Sequence, residues 1–196
     1  VLSEERGRTR WLMRRGMVLP VGVWGVAWLL GFLAMWSGEG RGGNPWFRLA
    51  EPAAEGIFGS AIVVAAVVSV LVGIVSRRGV QGPSQLRHSL QGWAWSISMV
   101  AVGIASLMLT SQAPGQRWLL VPTLFTLTAG ALTMVSGAML ASVLDFALGG
   151  VLVLLAVCGV WLGLPGMFLL YGLAGGAALL AFAVVVRLRP VREVRQ

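Results

Sequence analysis

The chain has 196 residues, of which 57% are hydrophobic and 11% are charged, and its mean hydropathy is +0.84. Soluble globular domains carry about 25% charged residues, so this composition excludes an ordinary soluble fold and indicates one membrane-embedded domain. A net charge of +8 would suggest nucleic acid if the arginines lined one face of a soluble domain. They cluster instead between and beyond apolar runs, so we expect no nucleic acid partner.

Missing residue types exclude several kinds of chemistry. All 15 basic residues are arginine. Without lysine these residues form no Schiff base with retinal or pyridoxal phosphate and contain no GxxxxGK(S/T) phosphate-binding loop. The single cysteine, Cys158, excludes an intrachain disulfide, a CxxC pair and a thiolate zinc site, and a single histidine cannot supply two axial haem ligands. We therefore expect no cofactor.

The first segment, residues 1–15, contains five arginines and precedes an apolar run over residues 16–37. A signal peptide begins in a similar way, but its apolar region has about 7 to 15 residues. The longer run predicts an uncleaved signal anchor, which forms the first membrane-spanning helix. We expect residues 1–15 to be an arginine-rich cytoplasmic segment.

Five further apolar runs follow. They occupy residues 56–75, 92–111, 118–140, 146–164 and 166–186. Each is close to the ~20 residues that a helix needs to cross about 30 Å of hydrocarbon. The sequence thus predicts an all-α, polytopic integral membrane protein with a bundle of about six transmembrane helices over residues 16–187 and an arginine-rich cytoplasmic tail over residues 188–196. Asp145 and a pair of glycines after it are the only marks of a break between helices 4 and 5.

The arginines favour one orientation of this bundle. With the N-terminus in the cytoplasm, twelve of the 15 arginines fall in cytoplasmic segments, and three fall outside: Arg41, Arg48 and Arg117. Positive residues accumulate on the cytoplasmic side of membrane proteins, so we expect both termini there. The expected location is a bacterial-type cytoplasmic membrane, with anionic lipid head groups as partners of the inner arginines.

Small residues at helical spacings predict packing faces, because close packing and hydrogen bonds hold helices together in lipid. Helix 2 has small residues at every fourth position, among them Ala65, Ser69 and Gly73, and helix 6 contains the GxxxG pair Gly172 and Gly176. These faces would contact either a helix of the same chain or another membrane protein.

Helix 4 lines one face with hydroxyl groups and glycines. The residues are Thr123, Thr126, Gly130, Thr133 and Gly137, at alternating spacings of three and four. We interpret this stripe as intramolecular packing, since a threonine in a membrane helix can bond the carbonyl one turn back. The alternative is a polar path or a contact with a partner subunit.

The polar segment 76–89 holds three arginines, Arg77, Arg78 and Arg87, and the only histidine, His88. A histidine acting as a base or a metal ligand needs an orienting acid or further ligands, and none lies nearby in the sequence. We interpret the segment as a cytoplasmic connector between helices 2 and 3. A dock for a partner subunit is the alternative.

Three acidic residues stand near predicted helix ends. Glu51 and Glu55 flank Pro52 in the outer loop, which is typical of the first turn of a helix; alternatively, they capture a cation or a substrate at the outer mouth. Asp145 is the only acidic residue between residues 56 and 192. It either caps helix 5 or forms an ion or proton site.

These features favour a function without catalysis. A lipid-modifying enzyme would need a polar cluster at one interface, which only the outer loop offers. We expect a non-catalytic membrane subunit of a transport or export system, which lacks its own nucleotide-binding site and works with another membrane or cytoplasmic subunit such as an ATPase. The alternative is a scaffold, regulatory or immunity-type protein that binds another membrane protein through the small-residue faces of helices 2 and 6.

Overall fold

The computed structural model describes residues 2–40, 42–77 and 83–188, which form six long helices. They are α1 (Leu2–Trp36), α2 (Glu51–Arg77), α3 (Pro83–Gln112), α4 (Arg117–Met139), α5 (Val143–Leu162) and α6 (Gly166–Leu188). Each contains a segment long and apolar enough to cross a membrane, so the predicted all-α fold with six such helices is confirmed. A π-helical turn, Tyr171–Gly175, interrupts α6.

The junction of α4 and α5 differs from the sequence prediction. The chain turns after Met139 through Ala141, whose φ of 49° lies in the left-handed region. Ser142 is the N-cap of α5, and its hydroxyl accepts a hydrogen bond from the backbone N–H of Asp145 at 3.4 Å. The break therefore precedes Asp145, and the glycine pair that was expected to mark it lies inside α5.

The helices pack in an order that differs from their order in the chain. α1 lies between α2 and α6, α5 packs on α6, α4 packs along α5, and α3 packs along α4. The apolar segments of α1, α5 and α6 are 33% to 39% buried inside the bundle, whereas those of α2 and α3 are 6% buried. α2 and α3 are therefore peripheral, and each is held mainly by one neighbour.

An aromatic cluster fills the centre of the bundle. The ring of Phe32 in α1 lies 5.1 to 6.4 Å, between centroids, from the rings of Trp28, Phe58, Phe168 and Tyr171. Edge-to-face and offset pairs at these separations are favourable for aromatic side chains. Phe168 and Tyr171 are completely buried, so the cluster joins α6 to α1 and, through Phe58, to α2.

Glycines allow α1 and α6 to approach closely. A β-carbon added to Gly176 would lie 3.1 Å from the carbonyl oxygen of Gly25, and one added to Gly172 would lie 3.3 Å from the Phe32 β-carbon. On α1, a β-carbon at Gly25 would lie 2.8 Å from the Leu180 side chain. The GxxxG pair of α6 therefore packs on α1 of the same chain.

α4 and α5 pack in the same manner. A β-carbon on Gly149 of α5 would lie 2.6 Å from the carbonyl oxygen of Gly130, and one on Gly137 of α4 would lie 2.8 Å from the α-carbon of Phe146. No side chain fits between helices at these distances. Small residues in this pair bring the two backbones together, as expected for helices associating in lipid.

The antiparallel packing brings the first residues of α1 and the last residues of α6 to one face of the bundle, which we call the terminal face. The α1–α2 loop, which lies at the opposite face, is held by its own hydrogen bonds. The Asn44 amide donates to the Ser37 hydroxyl at 2.7 Å, and the Glu39 backbone N–H donates to the Leu49 carbonyl at 2.9 Å. The loop also packs over the α5–α6 turn, because a β-carbon on Gly43 would lie 2.8 Å from Pro165.

Two adjacent glycines provide a matched test of the α4–α5 contact. Gly149 faces the α4 backbone, whereas a β-carbon on Gly150 would meet nothing within 4 Å. We expect Gly149→Ala to lower the free energy of unfolding by about 1 to 3 kcal/mol, as overpacking does, and Gly150→Ala to leave it unchanged or raise it by up to about 1 kcal/mol. Thermal unfolding in detergent measures both, and equal losses in the two variants would contradict this interface.

Candidate functional site

The hydroxyl stripe of α4 faces the interior of the bundle and meets the single tyrosine of the chain. The Thr123 hydroxyl lies 3.3 Å from the Tyr171 hydroxyl of α6 and donates to the Leu119 carbonyl at 2.7 Å. The Tyr171 hydroxyl also lies 3.4 Å from the Ala156 carbonyl of α5, so its single proton is donated either to that carbonyl or to the Thr123 oxygen. Thr126, which is almost completely buried, also faces the Tyr171 hydroxyl. We call these four residues, Thr123, Thr126, Ala156 and Tyr171, the Tyr171 cluster.

Tyr171 is seated by the π-helical turn that it begins. Its ring stacks on Trp28 of α1 with centroids 6.1 Å apart, and a β-carbon on Gly159 of α5 would lie 2.6 Å from it. π-helical turns inside α-helices are rare and frequently mark functional positions. The sequence does not predict this residue as part of a site, because one tyrosine in an apolar run has no periodicity. The facing hydroxyl stripe is the only sequence signal that points to a polar partner.

The geometry of the Tyr171 cluster favours packing over proton or ion transfer. Its polar groups are hydroxyls and a backbone carbonyl, and the Met167 sulfur lies 3.6 Å from the Thr123 hydroxyl. Thr133, further along the stripe, donates to the Ala129 carbonyl of its own helix at 2.7 Å. Such a hydroxyl is satisfied without a partner on another helix. The stripe thus joins α4 to α5 and α6.

Asp145 occupies the first turn of α5 at the terminal face. Ser142, not Asp145, provides the N-cap side chain. The half-buried Asp145 stands where the helix dipole favours an acid, and neither of the two cavities described below is lined by it. This placement favours a role in starting α5 over a role as an ion site within the membrane.

A cavity of about 540 Å³ lies at the opposite face, between the start of α2, the end of α3 and the start of α4. Glu55, Thr110, Ser111, Arg117 and Trp118 are among its lining residues. The guanidinium carbon of Arg117 lies 5.2 Å from the centre of the Trp118 ring, which is a cation–π distance. A lining that contains a carboxylate, a guanidinium and two hydroxyls suits a small ligand that carries both charges rather than a bare cation.

Glu51, the other acid predicted at the outer mouth, does not line this cavity. It is the first residue of α2 and is half-buried. At this position the helix dipole stabilises a negative charge. The structure therefore separates the two glutamates: Glu55 faces the cavity and Glu51 starts the helix.

The predicted partner dock is described only in its backbone. Arg78 lies outside the described residues. Arg77 ends α2, and Arg87 and His88 lie in the first two turns of α3, but their side chains lie outside the described part of the structure. The end of α2 and the start of α3 are at the terminal face, together with the start of α1 and the end of α6.

The predicted packing residues of α2 fall into two groups. Ala65 is completely buried, and the Ser69 hydroxyl accepts a hydrogen bond from the Trp24 indole N–H of α1 at 2.9 Å. Gly73, one turn further, faces open space. The GxxxG face of α6 is covered by α1, so of the two predicted small-residue faces only that of α2 remains partly open.

Comparisons with known proteins assign no relative. No protein-family model, no curated protein and no solved structure matches the chain. Within residues 2–40, 42–77 and 83–188, no three His, Cys, Asp or Glu side chains are grouped so that they could hold a metal ion. The function must therefore be argued from the geometry of the bundle.

Tyr171→Phe tests whether the buried hydroxyl holds α6 to α4. We expect this variant to lose about 1 kcal/mol in the free energy of unfolding, the net contribution of a typical hydrogen bond. Tyr171→Ala, which also removes the ring, should cost about 3 to 5 kcal/mol, by analogy with other large aromatic truncations. Thr133→Val is the control, because this hydroxyl bonds within its own helix. Unfolding in detergent ranks the three variants by their loss in the free energy of unfolding. A larger loss in Thr133→Val than in Tyr171→Phe would refute the role of the Tyr171 cluster.

Proposed function

We propose that this protein is a non-catalytic subunit of a transport or export system in a bacterial-type cytoplasmic membrane, with both termini in the cytoplasm. It binds a second membrane protein through α2 and α3, and it does not conduct a substrate through its own centre. Six apolar helices and the accumulation of arginine on one side support the membrane placement. The exposure of α2 and α3 is the observation that carries the binding role.

The exposed face of α3 has the spacing of a helix-pairing seam. Large apolar residues recur at alternating intervals of four and three, and each is 52% to 72% exposed. They are Leu86, Leu90, Trp93, Ile97, Val100, Ile104 and Leu107. Lipid requires only that a surface be apolar, whereas this heptad spacing aligns one stripe along a neighbouring helix. The stripe begins at Leu86, which precedes the apolar span Ser89–Gln112. Contact with lipid therefore does not explain an apolar residue at this position.

The open glycines of α2 support the same role. A β-carbon on Gly56, Gly59 or Gly73 would meet nothing within 4 Å. Glycine is less favourable in a helix than alanine by about 0.8 to 1.0 kcal/mol, and in membrane helices small residues favour close contact. The glycines of α4 are in close contact with α5. Those of α2 would make such a contact with a helix of another chain.

The centre of the bundle offers little support for a conduit. The aromatic cluster around Phe32 fills it, and the α4 threonines are directed to Tyr171 and to their own backbone. A partner would therefore provide the path for the substrate. With no phosphate-binding loop in this sequence, the partner would also provide the nucleotide chemistry if the system is driven by ATP.

Co-purification tests this proposal directly. We expect the protein, extracted from its native membrane in mild detergent, to carry another membrane protein at a stoichiometric level by mass spectrometry. Gly59→Leu places a large side chain on the open face of α2 and should reduce the recovered partner by about tenfold, because a steric cost of about 1.4 kcal/mol corresponds to that factor. The melting temperature should stay near that of the original protein.

Gly150→Leu is the matched control, because it makes the same change at an open glycine of α5. It should retain the partner. Binding through α2 would be refuted if the chain were recovered alone, or if Gly59→Leu retained as much partner as the original protein. A partner with a nucleotide-binding subunit would support transport. A partner without any transport component would favour the scaffold, regulatory or immunity-type alternative, which now rests on α2 because α1 covers the glycines of α6.

A further inference from the structure

A groove of about 860 Å³ runs along the outside of the bundle between α2 and α6. α1 forms its floor with residues that include Leu19, Gly22 and Val26, while Val64 of α2 and Val184 of α6 stand on its sides. All lining residues that the structure describes are aliphatic or glycine except Ser60 and Arg187. None of these described residues is aromatic, so the surface of the groove suits a flexible hydrocarbon chain.

The length of the groove corresponds to one leaflet of a membrane. Its α1 residues extend from Val18 to Leu30, a distance of about 18 Å at 1.5 Å per residue. Half of a typical hydrocarbon core is about 15 Å. Val18 is also the first residue of the apolar span of α1. The groove therefore begins at the terminal face and ends past the middle of the bundle, as an acyl chain of that leaflet does.

A positive charge marks the end of the groove at which a head group would lie. Arg187 is exposed, lies in the last turn of α6 and is the only charged residue among the described residues of the lining. Arg14 and Arg15 precede Val18 by about one helical turn in the α1 backbone. No acidic residue occurs between residues 6 and 38 or between residues 146 and 192. Arginine binds phosphate oxygens through paired N–H groups, so this end is complementary to an anionic head group.

We propose that this groove binds one anionic phospholipid from the leaflet at the terminal face. One acyl chain lies along α1 between α2 and α6, and the phosphate contacts Arg187. The lipid fills the space beside α2, the peripheral helix that α1 mainly holds. The site belongs to the chain alone and does not depend on a protein partner or on transport.

Native mass spectrometry of the full chain in mild detergent tests the site. The probes are phosphatidylglycerol and phosphatidylcholine with identical acyl chains, added separately at equal concentrations. We expect one tightly retained phosphatidylglycerol per chain and about tenfold weaker retention of phosphatidylcholine. Arg187→Gln should weaken phosphatidylglycerol retention by about tenfold, the factor expected from losing one charge-assisted hydrogen bond.

Val26→Phe should produce a similar loss by filling the groove, and the substitution is at a residue that is 45% exposed. The matched controls are Arg48→Gln, in the exposed loop at the opposite face, and Val63→Phe, at an exposed α2 residue outside the groove lining. Both controls should bind like the original protein. Equal retention of the two lipids, or equal losses in variants and controls, would overturn the proposal. Loss in Arg187→Gln with full retention in Val26→Phe would also overturn it, since the lipid would then touch only the surface charge.

Discussion

Close backbone contact through glycine is the interaction on which this bundle depends. In lipid, apolar side chains gain little by exchanging one apolar neighbour for another, so dispersion contacts and hydrogen bonds must hold the helices. Gly176 brings α6 onto α1, and Gly149 brings α5 onto α4, at distances that leave no room for a β-carbon. The aromatic rings around Phe32 fill the space that remains. These four helices thereby form one packed unit, to which α2 and α3 are added at the edges.

The same constraint decides where polar groups lie. A buried polar group needs a hydrogen-bond partner, because water is absent to replace one. Tyr171 meets this requirement by bonding to Ala156 or Thr123 across the contact of α4, α5 and α6, and Thr123 and Thr133 donate within their own helix. Ser106 of α3 differs: its hydroxyl is buried and has no hydrogen-bond partner among the described residues. α3 also packs mainly on α4 alone. The helix with the unsatisfied hydroxyl is therefore also a peripheral helix of the bundle.

Hydropathy predicts the six helices well, since each apolar run has the length of a membrane span. The boundary before α5 was misplaced because Ala141 and Ser142 make the turn without glycine or proline, and turn signals in a sequence rest mainly on those residues. Periodicity identified the small-residue faces of helices 2 and 6, yet it cannot say which neighbour covers a face. Gly172 turned out to contact α1, while Gly73 is open. Tyr171 was not predictable, because its role depends on three helices distant in sequence.

The arginine distribution connects topology to lipid recognition. Charges beyond the ends of apolar runs are expected from the positive-inside rule alone, and most arginines of this chain need no other explanation. Arg187 differs because the packing of α1, α2 and α6 places it at the end of an aliphatic groove of one-leaflet depth. Under the lipid proposal, a charge that would orient the chain in the membrane would also select the lipid in the groove. In the orientation that we propose, the positive-inside rule accounts for the side on which Arg187 lies, and the helix packing accounts for the lipid chemistry that we propose for it.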